Sequence, residues 1–387
     1  MKQYDDIVAG SGVSGLTLAL LLALNGRKVL LLEKAPQIGG SLRRFYKQGI
    51  PFDTGFHFTG GFSRDGVLAD MLEVLGIRNC LKPVFISQPG ANRFVFEREG
   101  SAYDLPSGTD NCRAALRGYF PRESSAIDAY FALVQKVCRQ TMSLDLRKIA
   151  LTPDVIDEDY ISLDSVLDSL TSDARLRALL SAYCMCYGTQ PKEISFANHA
   201  RVASGLYESV ARIEQGGEAF INAFRGRFSR YDIDIRCNTY IAECARVQND
   251  YAGEFVLNTG EVIQADDCIF TVHPHEILRT LPQHCLTKAF VERVSAFESS
   301  IGFFSVFGEV LQADADGFGP SIVSLFPVGD LNVLLDPDYG GKPALEVIRS
   351  VEEGMDNKRH CVINAFEPSF YAQVRQWADS SVGKRPQ

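Results

Sequence analysis

Apolar residues near the start of the chain fall in runs that change character at fixed points. Asp6-Ile-Val-Ala leads into Gly10-Ser-Gly12-Val-Ser-Gly15, an apolar stretch from Leu16 to Leu24 follows, and Val29-Leu-Leu-Leu ends at Glu33. This order predicts strand, glycine turn, helix, strand. Val67-Leu-Ala-Asp-Met-Leu-Glu-Val-Leu-Gly76 spaces its apolar residues by three and four and stops at glycine, which predicts an amphipathic helix. Arg93 to Glu97 and Ser101 to Leu105 predict short strands about a turn at Gly100. From Asp110 to Tyr187 the pattern is mostly helical, over Ser124 to Thr141, Ser162 to Leu170 and Asp173 to Tyr187, with a break around Pro153. Gly216-Gly217 opens another helix, and Ile233 to Cys237 predicts a strand. Two extended stretches, 254–260 and 261–266, turn at Asn258-Thr-Gly. A separate apolar strand, Cys268 to Val272, then runs into His273. Strands at 302–307, 321–326 and 361–366 close the chain.

The chemistry lies in the opening sixty residues. The series G-x-G-x-x-G stands between strand and helix, and the second strand ends in an acid eighteen residues after the third glycine. That is the dinucleotide-binding fingerprint in its structural context. Gly10 permits the tight turn, Gly12 lets a pyrophosphate approach the backbone, and Gly15 lets the helix pack close. Ser11 and Ser14 lie in the same loop, the helix N-terminus favours the anion, and Glu33, followed by Lys34, is placed to accept from the ribose hydroxyls. A second pair, Gly39-Gly40-Ser41, and a third glycine turn around Gly55 suggest a cofactor longer than one nucleotide.

At Gly49-Ile-Pro-Phe-Asp-Thr-Gly55-Phe-His57-Phe-Thr-Gly60 the chain resembles the phytoene desaturase group of flavoproteins, in its carotenoid isomerase and all-trans-retinol saturase branch. Leu105-Pro-Ser-Gly, Tyr187-Gly-Thr-Gln-Pro191, Ser195-Phe-Ala-Asn-His199 and Gly216-Gly217 look like further landmarks of that group. The resemblance implies an α/β fold: a Rossmann-like domain, with a mixed, mostly parallel sheet, binding FAD or NAD(P), and an inserted α+β substrate domain. The expected division is 1–82 and 201–275 for the cofactor domain, 83–200 and 276–387 for the substrate domain. FAD is the implied cofactor, with NAD(P) as a conceivable electron donor or acceptor, and the implied substrate is an apolar polyene or isoprenoid lipid. Backbone contacts to the adenine are implied at Tyr240 and Ile241, although the family usually carries a small branched residue where Tyr240 stands. The family also ends in a G-x-x-x-A-G and Pro-Gly segment that nothing between Cys361 and Gln387 matches, so the chain is expected to be shorter than its relatives there.

Composition narrows the alternatives. A chain of 387 residues with 46% apolar content can bury two substantial cores. Its net charge of −9, with basic clusters no longer than pairs such as Arg43-Arg44, argues against nucleic acid, and that pair reads as solvated. Ten cysteines without a small secreted framework suggest a reducing, cytoplasmic compartment. Cys184 and Cys186 read as buried helix residues, and His273 and His275 lack partners at metal-ligand spacing, so no metal site is expected. No stretch is long enough to span a bilayer; a peripheral membrane contact and the oligomeric state stay open. His57 is the histidine inside the most specific segment and the one candidate for catalysis, though hydrogen-bonded structural duty is the commoner role of such a histidine, and of His199. Phe52, Phe56, Phe58, Phe62, Phe303, Phe304 and Phe307 suit a substrate tunnel or a core equally. Three readings remain: the flavin-dependent polyene oxidoreductase, an amine-oxidase-like flavoenzyme, and a non-catalytic nucleotide-binding or scaffold protein.

Overall fold

The computed structural model describes residues 2–86, 92–144, 155–248, 251–310 and 321–377. The helical break expected around Pro153 falls outside them. Along the chain run strands β1 Lys2–Ala9, β2 Val29–Leu32, β3 Arg44–Lys47, β4 Ile50–Asp53, β5 Thr59–Gly60, β6 Pro83–Phe85, β7 Asn92–Phe96, β8 Ser101–Leu105, β9 Val210–Ile213, β10 Ile233–Arg236, β11 Ile241–Gln248, β12 Tyr251–Leu257, β13 Val262–Phe270, β14 Gly302–Val310, β15 Ile322–Phe326, β16 Leu345–Glu353 and β17 Arg359–Ser369. The helices between them are α1 Val13–Leu24, α2 Val67–Leu75, α3 Thr109–Tyr119, α4 Ser124–Gln140, α5 Leu163–Leu170, α6 Ala174–Ser181, α7 Cys184–Tyr187, α8 Phe196–Glu208, α9 Gly216–Phe228, α10 Pro274–Thr280 and α11 Lys288–Ser295, with short helical turns elsewhere.

The first sheet has the order β10-β2-β1-β13-β12-β11. Its β10, β2, β1 and β13 are parallel, and β12 and β11 continue it antiparallel. All four residues of β2 are buried, as a parallel strand covered on both faces requires. On one face α1, α2 and α9 bury Leu16, Leu20, Leu72 and Phe224 against Val8, Val29 and Leu31. The result is an α/β, Rossmann-like fold. In place of the two expected stretches at 261–266 and 268–272, one nine-residue strand, β13, runs through both. Its first half pairs with β12, while the register with β1 runs on from Ile263 to Phe270. The acids Asp266 and Asp267 that break the apolar pattern are exposed at its middle, beyond the last β12 pairing.

The second sheet, β14-β17-β16-β15-β7-β8, is antiparallel except for the parallel β15/β7 pair. Helices α3 to α8 share a core with its β7, β8 and β15 end through Phe94, Phe96, Tyr103 and Phe326. Three of its strands follow the apolar runs at the chain's end, but β16 is not evident in the sequence, because Glu346, Arg349, Glu352 and Glu353 break the run. A small sheet, β5-β9-β6, and the β3–β4 hairpin complete the fold.

The hairpin corrects the reading of Arg44 as solvated. Arg44 lies directly opposite Asp53 across β3 and β4, so the two side chains share a face. That face meets β16 and β9. Arg44 Nε stands 2.8 Å from Asp53 Oδ1, Arg44 Nη2 2.5 Å from Glu352, and Arg212 Nη2 3.0 Å from Asp53 and 2.6 Å from Glu352. The Arg44 side chain is only 4% exposed. Charge at these positions balances two against two, which is the condition for burying them together.

Candidate functional site

The glycine loop leaves β1 with Gly10 at φ 102° and its N–H donated to Leu32 O at 2.8 Å. Gly15 lies so close to this turn that a Cβ there would stand 1.9 Å from Gly10 O. The close approach is pinned from the far side by Thr271, whose hydroxyl donates to the carbonyls of Ala9 and Gly10 at 3.0 Å. Gly12 is the N-cap of α1, has no side chain to cap it, and faces open space: a Cβ there would meet nothing within 4 Å. The first-turn N–H groups of α1 are thus left to an outside acceptor.

The second glycine pair closes over this turn. A Cβ on Gly40 would stand 3.0 Å from Gly12 Cα, and Gly39 donates its N–H to Ser11 O at 2.9 Å. Ser11 is fully buried, so it acts as a brace: its hydroxyl and N–H both donate to Glu33 Oε2, the latter at 3.2 Å. Glu33 Oε1 accepts the Ala35 N–H at 2.7 Å. The acid at the end of β2 is thereby oriented, with Lys34 exposed beside it. Ser14, Ser41 and Gly55 lie at the surface of the same region; Gly55 approaches Ser41 so that an added Cβ would be 3.2 Å from Ser41 Cβ. Thr54 ties the third segment to the second by donating to Arg43 O at 2.7 Å.

Tyr240 and Ile241 reach this region by their chain position after β10. The backbone N–H of Tyr240 donates to Asn258 Oδ1 at 2.9 Å and its carbonyl accepts from Asn258 N at 3.0 Å, while Ile241 is buried and paired with Leu257. What Tyr240 offers outward is its ring, 44% exposed, with Lys34 Nζ 5.5 Å from the centroid.

Beyond Gly55 the third segment enters a cavity of about 480 Å³. Thr54, Gly55, His57 and Phe58 form one wall, Leu68 and Met71 of α2 and Leu206 of α8 a second, and Phe303 and Phe366 of the second sheet the floor. The walls meet because α8 lies almost on β5: Gly61 N–H donates to Gly205 O at 2.9 Å, and a Cβ on Gly60 would overlap the Gly205 backbone. Of the seven phenylalanines proposed for a tunnel or a core, Phe58 and Phe303 line the cavity. Phe52 and Phe62 are buried in the core, Phe56 packs edge-on to Phe220, Phe307 packs on Phe52, and Phe304 is exposed.

His57 stacks on Phe366, with ring centroids 5.3 Å apart, and lies 3.2 Å from the amide nitrogen of Asn364. Burial, aided by the charge of Arg212, lowers it to about 4, so at neutral pH it is uncharged. His199 belongs to the helical core instead, between the hydroxyls of Tyr130 and Tyr187. Cys184 is buried as expected, whereas Cys186, also expected to be buried, is exposed on the wall of the cavity.

Sequence reasoning missed Glu346, which also lines the cavity. Its carboxylate accepts from Ser324 at 3.4 Å, and burial lifts it to about 7 against that hydrogen bond. The signal was a lone acid between Leu345 and Val347-Ile348, legible only once those residues are known to form a strand with this face inward. Among the described residues no group of three histidines, cysteines or acids is placed to hold a metal. Nor is any helix among them long and apolar enough to cross a membrane.

The family profile described as an NAD(P)-binding Rossmann-like domain matches residues 8–75. The all-trans-retinol 13,14-reductase of Danio rerio is 31% identical over 241 residues, 56% of this chain and 38% of that protein. Prolycopene isomerase 1 of an Oncidium hybrid cultivar is 32% identical over 148 residues, 38% of this chain and 25% of that protein. The chain thus spans well under half the length of these curated relatives. Among solved structures, a triple mutant of putrescine oxidase redesigned in its cofactor binding superposes with a TM-score of 0.65 at 16% identity, covering 98% of this chain and 78% of that one, a likeness of fold.

Proposed function

We propose, for a chain homologous to the all-trans-retinol 13,14-reductases and prolycopene isomerases over about half of its length, an FAD-dependent oxidoreductase acting on carbon–carbon bonds of a polyene or isoprenoid lipid. The observation that carries the reading is the continuity of the glycine-lined groove, at its third segment, with a largely apolar cavity through Thr54 and Gly55. A cavity of this size and lining suits a ligand with little hydrogen-bonding capacity.

The residues present fit a dinucleotide. The open face of Gly12, the uncapped start of α1 and the oriented carboxylate of Glu33 form a cradle for pyrophosphate and ribose, which a Cβ at Gly12 would occupy. In this reading Gly10, Ser11, Ser14, Gly15, Lys34, Gly39, Gly40, Ser41 and Gly55 complete it. Tyr240 contributes through its exposed ring, since its backbone is engaged with Asn258. When bound there, FAD supplies a two-electron hydride donor or acceptor. The chain's own part is to bind the apolar chain against Phe58, Phe303 and Phe366, to exclude water with Leu68, Met71 and Leu206, and to hold His57 neutral beside the site. The amine-oxidase-like alternative is less well supported, because the described lining residues include no tyrosine or tryptophan to cage an amine.

The test is the visible spectrum of the purified protein, with heat release and identification of its cofactor. A flavin band near one equivalent is expected, together with a spectral shift when a polyene is added. A colourless protein that does not take up FAD, or one protected from heat by NAD or NADP and not by FAD, overturns the reading. The first of those results favours the non-catalytic alternative.

A further inference from the structure

We infer that Glu346 is the proton-exchange group of the cavity, supplying the proton that reduction of a carbon–carbon double bond consumes and taking it back in the opposite direction. The inference rests on the flavin and polyene reading above. Its basis is the register of the second sheet. Glu346 of β16 lies opposite Phe366 of β17, and Phe366 lies opposite Ser305 of β14. Residues directly opposite in antiparallel pairs share a face, and these three line the same cavity. That cavity also reaches Thr54 and Gly55, so the carboxyl and the last segment of the cofactor groove open onto one space.

The charge environment gives this carboxyl a proton to exchange near neutral pH. Arg201 of α8 lines the cavity, but its guanidinium is bound to Asp159 at 2.6 Å. His57 is held uncharged, and desolvation of its sulfur, to which a Glu346 carboxylate adds, keeps the Cys186 thiol of α7 protonated although the residue is exposed on the cavity wall. The lining residues from α2, β14 and β17 are uncharged, and β15 contributes the Ser324 hydroxyl. With no guanidinium or ammonium paired to it among the described residues, burial brings Glu346 to about 7. A general acid or base works best with its pKa near the operating pH.

Saturating one C=C bond adds two hydrogens. One arrives at the first carbon as a hydride, with its two electrons, from a reduced flavin that is left oxidised. The second is the Glu346 carboxyl proton, which bonds to the neighbouring carbon and leaves a carboxylate that water reprotonates.

The test compares wild type, Glu346→Gln and Glu346→Asp, each loaded with FAD and checked for folding by thermal melting. Infrared spectra should show a protonated-carboxyl band in the wild type that disappears as pH rises through about 7, is missing from the Gln variant and returns, shifted in pH, in the Asp variant. Polyene binding, read by absorbance, should be unchanged in Glu346→Gln. Product formation with prereduced flavin in D2O should fall on the order of 100-fold or more in that variant, with loss of the alkaline limb of the rate profile and partial rescue by Asp. Because the hydride of a reduced flavin leaves from an exchangeable N–H, solvent deuterium should appear at both carbons of the reduced bond. A Gln variant that keeps the wild-type rate and pH profile overturns the role of Glu346 while leaving the polyene reading intact. A wild type that binds no polyene overturns both. If the Gln variant does not fold, absence of a titrating band in the wild type, or an Asp variant with an unmoved profile, overturns the proposal.

Discussion

His199 has no exposed surface, and both its ring nitrogens face tyrosine hydroxyls, Nε2 to Tyr130 at 2.8 Å and Nδ1 to Tyr187 at 2.6 Å. Burial lowers it to about 4. The unfolded chain, with an ordinary imidazole near 6.5, binds the proton more readily between those values. The stabilising contribution of a neutral His199 is therefore complete above pH 6.5 and is lost as pH falls toward 4, by about 2 kcal/mol at pH 5. His57, lowered for the same physical reason, adds to the same window. His199→Gln should be less stable than wild type at pH 7 yet lose about 2 kcal/mol less between pH 7 and 5. Urea unfolding at the two pH values measures this, and equal losses in both proteins would show that His199 titrates normally in the fold.

At the scale of elements, α1 separates stability from function. Its N-cap, Gly12, has φ −64° and ψ 179°, a conformation open to any residue, and space around its missing Cβ. Elsewhere Ser162, Asp173, Ser195 and Thr287 cap α5, α6, α8 and α11 with their side chains. An aspartate is a favourable N-cap, so Gly12→Asp should fold as well as wild type or gain up to ~1 kcal/mol, while its carboxylate occupies the place proposed for pyrophosphate. The expected result is an unchanged or higher melting temperature with cofactor lost. A variant that retains full flavin would show that the dinucleotide does not bind over α1. Among the strands, β13 shows how a pattern misleads: its two acids divide one strand into two apparent pieces, because the sequence does not say which partner each half has.

For the whole molecule, the Arg44, Asp53, Arg212 and Glu352 cluster joins three sheets: the β3–β4 hairpin, β9 of the small sheet and β16 of the second large sheet. The hairpin carries the chain from the second glycine pair to the cavity wall, so the cluster helps to hold the groove and the cavity together. Removing one partner leaves a buried charge uncompensated, at a cost of about 3–5 kcal/mol. Glu352→Leu should lower unfolding free energy by that amount in urea at pH 7. A loss under 1 kcal/mol would mean that water reaches the cluster. Glu352→Gln, which keeps hydrogen-bonding atoms near both guanidiniums, should lose less.

Local chemistry made the nucleotide half legible. Gly10, Gly12, Gly15 and Glu33 act within one strand–turn–helix–strand unit, whose geometry is set by backbone freedom and apolar periodicity over some thirty residues. The third segment, with His57, could be recognised by resemblance, but its neighbours could not. Glu346, Phe366 and Ser305 share a face only through the pairing of β16, β17 and β14. Arg44 is buried only because Asp53, Arg212 and Glu352 converge on it from other strands. A charge read alone looks solvated, since the desolvation that would forbid its burial is offset by partners 9 to 308 residues away. The sequence by itself determined the Rossmann-like nucleotide unit and its helices, because these follow from short-range pattern. Tertiary structure decided which side chains meet in the cavity and which charges are buried, because long-range strand register and mutual desolvation exist only in the assembled fold.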